Sequence, residues 1–199
     1  MKIYDISQEL FSCVVFPGDP TPKREVLLSI AAGDRCNLTA LSLCAHNGTH
    51  IDAPCHFIDG GKTVDRVDLR KFIGPAFVKE HSGILSAQGA RAILAEAGAV
   101  SPEAAKRILI KGKATVSDEA AEVFAEAGID LIGNESQTVG PEDSPRNAHL
   151  ALLSREVVLL EGIRLSHVPD GVYFLNAAPI NLGGADGAPC RAVLIDLSR

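Results

Sequence analysis

Three of the chain's six histidines, His46, His50 and His56, fall within eleven residues, with Asp52 among them. All four numbers are even. In an extended chain alternate side chains share a face, so one stretch of backbone can aim all four the same way. A helix would not: His46 and His50 agree at i, i+4, but Asp52 lies well round the cylinder. Gly48 and Pro54 also disfavour a helix. A straight strand fails on distance, because it holds His46 and His50 about 13 Å apart at ~3.3 Å per residue. Two nitrogens that share one metal ion each stand only ~2 Å from it. The backbone must therefore bend, and Gly48 is where a bend costs least. The segment reads as a strand end breaking into a loop on which the imidazoles converge.

Imidazole and carboxylate donors suit zinc, manganese or iron. Three donors from seven residues, His46, His50 and Asp52, leave a coordination position for water, which marks a catalytic rather than a structural site. Farther along, Glu161 ends the apolar run Val157–Leu160. A carboxylate at the end of a buried strand must be paired, protonated or on a metal. Alone, Glu161 reads as a strand-end charge and His149 as a surface helical residue.

Side chains so spaced need a frame. Strands are expected over Ile3–Ile6, Glu25–Ile30, Leu38–Leu43, Ala76–Val78, Arg107–Ile110, Ile129–Ile132, Val157–Leu160, Val172–Leu175 and Ala192–Leu197. A helix is expected over Ala87–Ala97, ended by Gly98. Another spans Ser117–Ala127, where Ala120, Val123, Phe124 and Ala127 share a face. Thr115 and Asp118 have capping-box spacing there, and Gly128 stands at the C-cap. A third helix starts near Ser144–Pro145 and carries His149, with Leu150 and Leu153 inward. Strands interleaved with helices predict a mixed α/β domain. With no linker in sight, residues 1–199 read as one domain.

Composition narrows the function classes. The net charge is −6 with no run of Lys or Arg, which speaks against nucleic acid and anionic membrane as partners. The N-terminus lacks the apolar stretch of a signal peptide. No apolar run approaches the ~18 residues of a membrane span. A cytoplasmic location follows as the expectation. Five cysteines without a C-x-x-C pair read as buried free thiols rather than a disulfide framework.

The pattern His46-x-Gly48-Thr49-His50-x-Asp52-x-Pro54-x-His56 resembles the signature of the cyclase-like metal hydrolases, of which bacterial kynurenine formamidase (arylformamidase) is the best-characterised type. The likeness extends to Phe16-Pro17-Gly18-Asp19, to His149-x-x-Leu152-Leu153 leading into Leu160-Glu161-Gly162, and to the segment from Gly184 through Pro189 and Arg191 to Leu194. It implies a swivelling β/β/α fold, a homodimer or larger assembly, and two divalent metal ions, zinc foremost with manganese as the alternative. His46, His50 and Asp52 would hold the first ion. Asp52 and Glu161 would bridge to the second, which His149 also binds, and His56 would be the catalytic acid/base. Phe16 would contact substrate, at a position where the kynurenine formamidases carry Trp.

The implied reaction is hydrolysis of an amide C–N bond in a small molecule, an N-formyl arylamine such as N-formylkynurenine. A metal-bound hydroxide would attack and His56 would protonate the leaving amine. Alternatives are the same chemistry on a cyclic amide, lactam or ester, and a metal-binding regulatory protein without turnover. A Cys55–His56 thiol enzyme is disfavoured, since sequence neighbours in an extended chain face opposite ways. Asp59, Asp65 and Asp68 read as a solvated loop, and His81 and His167 as structural or surface residues.

Overall fold

Unbroken apolar runs, rather than alternating ones, mark the middle of the sheet. In the computed structural model, which describes residues 1–197, the strands are β1 (Lys2–Asp5), β2 (Lys23–Leu28), β3 (Leu38–Ser42), β4 (His50–Asp52), β5 (Ile73–Glu80), β6 (Gly83–Leu85), β7 (Arg107–Lys111), β8 (Ala114–Val116), β9 (Leu131–Asn134), β10 (Val158–Glu161), β11 (Gly171–Asn176), β12 (Gly187–Pro189) and β13 (Val193–Asp196). The helices are α1 (Ala87–Val100), α2 (Asp118–Glu126) and α3 (Arg146–Leu153). Ser198 and Arg199, the end of the expected 1–199 domain, lie outside the described residues.

Nine strands form one mixed sheet in the order β1-β13-β11-β5-β7-β9-β10-β4-β12. Its centre, β5-β7-β9-β10, is parallel, and the pairs on either side are antiparallel. Along β7, Ile108 and Ile110 pack with the three helices, while Leu109 faces the other core. In β10, Leu159 goes to the helix side and Val158 and Leu160 to the other. A parallel strand covered on both faces has no polar side to show, which is why these runs are continuous. The mixed α/β class read from the sequence is the one that forms.

Several local expectations change. Helix α1 runs through Gly98 to Val100 and is capped by Ser86, whose hydroxyl accepts from the Gly89 N–H. A side chain at Gly98 would meet nothing within 4 Å, so no close approach requires glycine there. Helix α2 is capped by Ser117, not Thr115, which lies in β8. In α3, Leu152 and Leu153 are buried and Leu150 only half-buried, so the inward stripe is turned from the one expected. The cysteines are all free, but Cys36 is exposed and the other four are half-buried, not fully buried.

The pair β2-β3 stands apart as a two-stranded ribbon. Every residue of β2 is exposed. No helix among the described residues is long and apolar enough to cross a membrane.

Candidate metal centre

The bend expected at Gly48 is present, before the strand rather than after it. Gly48 has φ of +67°, a left-handed conformation that costs glycine little. Asn47 and Thr49, on either side of Gly48, hold this bend with side-chain hydrogen bonds. Asn47 accepts from the Cys44 N–H at 2.8 Å and donates to the Pro20 carbonyl at 3.1 Å. Thr49 donates to the Gly162 carbonyl at 2.8 Å and accepts from the Gln8 N–H at 2.9 Å. Beyond the bend, β4 puts His50 and Asp52 on one face, between β10 and β12. The chain then leaves the extended form, and His56 returns to the group on a single 3-10 turn over Pro54–His56.

Asp52 is the centre of the cluster. Its Oδ1 lies 2.8 Å from His46 Nδ1 and 3.4 Å from His50 Nε2. Its Oδ2 lies 3.5 Å from His149 Nε2 and 3.9 Å from His56 Nε2. Glu161 is brought in by register, since it pairs with His50 across β10-β4. Its two oxygens lie 3.5 Å from His50 Nε2 and 3.3 Å from His149 Nε2. Two donor groups result, His46–His50–Asp52 and Asp52–His149–Glu161, each compact enough for one ion, with Asp52 common to both.

The outward-facing ring nitrogens are also engaged. His50 Nδ1 meets the Gly48 carbonyl at 3.0 Å and His149 Nδ1 the Pro145 carbonyl at 2.8 Å. His46 Nε2 meets Asp186 at 2.9 Å. Such outer contacts fix tautomer and ring direction, as they do for metal-bound histidines.

His50, Asp52, His149 and Glu161 are almost fully buried, and no Lys or Arg ion pair reaches them among the described residues. Four polar groups so placed need strong compensation. Burial works against charge on His149, yet Asp52 and Glu161 outweigh it and push the imidazole up to about 10. The balance for His50 is the same, and it too is raised well above the ordinary value. Burial would raise Asp52, but His149, His46 and His50 hold it well below the carboxylate range. Protons thus occupy the imidazoles where cations would otherwise sit. A set of imidazoles and carboxylates balanced by positive charge fits a divalent metal.

A cavity of about 250 Å³ opens onto this cluster. Phe16 and Asp19 line it, as do Phe57, Gln137, Thr138 and Pro145. All seven residues singled out from the sequence therefore meet at one place, and His149 is buried rather than on the surface. Phe57 was not foreseen. Its ring lies tilted at 4.6 Å from the His149 ring and edge-on at 4.7 Å from that of His56. Asp186 was also missed, although its segment was part of the family-like pattern. Its carboxylate reaches His46 and His56 from 140 and 130 residues away in the chain, and no local spacing signals that.

Comparison with known proteins agrees with this geometry. The Cyclase family model matches residues 4–141. The chain is 34% identical to the kynurenine formamidase of Salinibacter ruber over 98% of both chains. It is 35% identical to that of Bacillus anthracis over 97% of both. Among solved structures, one described as a "potential metal-dependent hydrolase with cyclase activity" superposes with a TM-score of 0.80 at 26% identity, covering 100% of this chain and 99% of the other. An isatin hydrolase bound to the product analogue thioisatinate shares the fold, with a TM-score of 0.81 at 20% identity over 97% and 91% of the two chains.

Proposed function

The chain belongs to the Cyclase family, and from that premise we propose that it is a metal-dependent amidohydrolase acting on an N-formyl arylamine, N-formylkynurenine being the reference substrate. The observation that carries the reading is the carboxylate of Asp52, whose two oxygens face different histidines. The likeness to kynurenine formamidases over nearly the whole chain supports the substrate class.

We read two ions per chain, zinc foremost and manganese as the alternative. His46, His50 and Asp52 would hold one, and Asp52, His149 and Glu161 the other. When bound, such ions lower the pKa of a water and polarise the substrate carbonyl. The remaining steps fall to the chain. Phe16 and Phe57 offer flat apolar faces in the cavity on which an aryl ring packs. The water attacks the formyl carbon, and the C–N bond then breaks to give formate and the arylamine. His56, at the more open side of the cluster, takes a proton from the attacking water and hands it to the departing nitrogen. An imidazole suits this because its ordinary pKa is near neutrality.

Residues 1–199 act in this reading as one domain. Support comes from β1 pairing with β13 and β4 with β12, so strands from both chain ends share the sheet that bears the site. We also infer a homodimer or higher homo-oligomer in the cytoplasm. The ribbon β2-β3 supports self-association: Val26, Leu27, Leu28, Leu38 and Leu41 are all exposed on it. A lone two-stranded hairpin is marginal in water, and exposed apolar side chains grouped on one ribbon are what an interface would cover.

The test is a hydrolysis screen of metal-loaded protein on N-formyl arylamines, cyclic amides and aryl esters, each with and without chelator. Formate release from the N-formyl arylamine, lost in chelator and regained on adding zinc or manganese, is the expected result. Faster turnover of the cyclic amides or esters would overturn the substrate, and turnover that survives chelation would overturn the metal. Phe16→Ala should shift preference from aryl towards aliphatic formamides. A stability loss of ~3–5 kcal/mol with unchanged preference would place Phe16 in the core instead.

A further inference from the structure

Asp186 closes the strand-free segment before β12, and its position is tightly set. Its carbonyl accepts from the Ala53 N–H at 2.9 Å. The next residue, Gly187, pairs with Asp52 across β12-β4. A side chain at Gly187 would collide with the Ile51 carbonyl at 2.6 Å and with the His46 ring at 2.8 Å, so glycine there lets His46 lie against β12. One oxygen of Asp186, Oδ2, then stands 2.9 Å from His46 Nε2 and 3.1 Å from His56 Nδ1. The two rings stack, with centroids 4.0 Å apart and planes tilted by 31°.

We propose that Asp186 is a positioning residue that clamps two imidazoles at once, fixing His56 as the Nδ1–H tautomer and, once a metal is bound, His46 as the Nε2–H tautomer. This rests on the reading of His56 as the proton carrier and of His46 as a ligand. Both tautomers follow from the contacts. Asp186, as a carboxylate, only accepts, so each ring donates to it. On the opposite side His56 Nε2, 3.9 Å from Asp52, is left bare, whereas His46 Nδ1 donates to Asp52 at 2.8 Å without an ion and gives up that proton only when a metal takes its place. One side chain thereby aims a metal ligand inward and holds the proton-carrying nitrogen on the same side.

His46, His56 and Asp186 are also close enough together to ligate an ion themselves. The orientation of His46 argues against that use. With Nδ1 directed at Asp52 and the first donor group, Nε2 carries the ring's proton and has no lone pair for a further metal.

The test compares wild type, Asp186→Ala and the near-isosteric Asp186→Asn by histidine 15N–1H correlation spectra, in metal-free and zinc-loaded protein, alongside kinetics and metal content. In wild type, His56 should appear as the Nδ1–H tautomer. Asp186→Ala should release it to the Nε2–H tautomer, which neutral histidine prefers in water. At saturating metal, kcat should fall about 10–100-fold, the usual cost of losing a carboxylate behind a working histidine, with KM little changed. The amide carbonyl of Asp186→Asn can still accept one N–H, so this variant should lie between the other two. An unchanged His56 tautomer in both variants would overturn the proposal. So would loss of a whole metal ion per chain at saturation in Asp186→Asn, which would make Asp186 a ligand. If wild type hydrolyses no N-formyl arylamine, the proposed reaction falls, while the tautomer spectra still decide the role of Asp186.

Discussion

Two apolar stretches of similar composition have opposite fates in this molecule. Val157–Leu160 lies in and before β10, with every residue of the strand buried, and it ends on Glu161 among the histidines. Glu25–Ile30 supplies most of β2, every residue of which is exposed, with Val26 at 65% and Ile30 at 59%. The first run is covered on both faces by its own chain. The second lies in a ribbon on which its apolar side chains stay exposed. An apolar run thus states that burial is required without stating by what. β10 finds its cover inside the chain and becomes a base for the site, whereas β2 is exposed, and in our proposal a second copy of the chain would cover it.

The largest effect that would sharpen this contrast is expected at the buried end. Asp52→Ala removes the acceptor shared by His46, His50 and His149, so dialysed protein should hold no metal and show no turnover above background. The metal-free variant should also lose stability, by ~3–5 kcal/mol if it behaves like other broken buried ion pairs. Metal content by mass spectrometry and denaturant melts check this, and full metal retention would break the contrast.

A smaller loss is expected at the site's open edge. His56→Asn should keep both ions and lower kcat by ~10²–10⁴-fold, the range of a positioned acid/base. Metal analysis and kcat on the same preparation separate the two roles, since His50→Ala should instead lose metal.

The exposed end should respond in assembly rather than in chemistry. Val26→Asp combined with Leu41→Asp should reduce the mass measured by light scattering to that of one chain. The cost in stability of the dissociated chain should stay within ~0.5 kcal/mol per site, as for ordinary surface changes. An unchanged oligomer would move the interface elsewhere.

The smallest effect concerns pH. His149 is raised from an ordinary 6.5 to about 10 because Asp52 and Glu161 outweigh the opposing effect of burial. Its contribution to the stability of metal-free protein is therefore full below about 6.5 and lost as pH rises through about 10. Asp52, held low, contributes above its ordinary 3.8 and loses that contribution as pH falls. The melting temperature of metal-free protein should be highest between these limits and fall towards alkaline pH. Saturating metal, which binds the neutral imidazole, should remove the alkaline fall. Parallel curves with and without metal would contradict the charge balance described for the cluster.

How far the sequence could be read followed the same division. The segment from His46 to His56 was legible because its logic is local: one glycine where the chain had to bend, and parity for His50 and Asp52 in β4. His46, however, sits in a turn and His56 on a 3-10 turn, off the strand that parity assumed for all four. The central strands were legible because burial on both faces leaves an unbroken apolar run. The three-residue strands β4 and β12 were not, since three residues carry no period. Asp186 stayed invisible because its partners are joined to it through sheet pairing, not spacing. The inward face of α3 was misjudged because His149 itself is buried there. It occupies a place that an apolar residue would normally take, and so turns the stripe towards Leu152. The ribbon's exposure could not be read at all, since β propensity is silent on whether a strand's faces are covered.

The central claim is that Asp52 is shared between two metal sites. Anomalous diffraction from crystals of metal-saturated protein, recorded at the zinc or manganese edge, tests it most directly. We expect two peaks per chain about 3.5–4 Å apart, the usual spacing of two-metal sites, one beside His46 and His50, the other beside His149 and Glu161, with Asp52 between them. A single peak at saturation, or peaks away from Asp52, would contradict it.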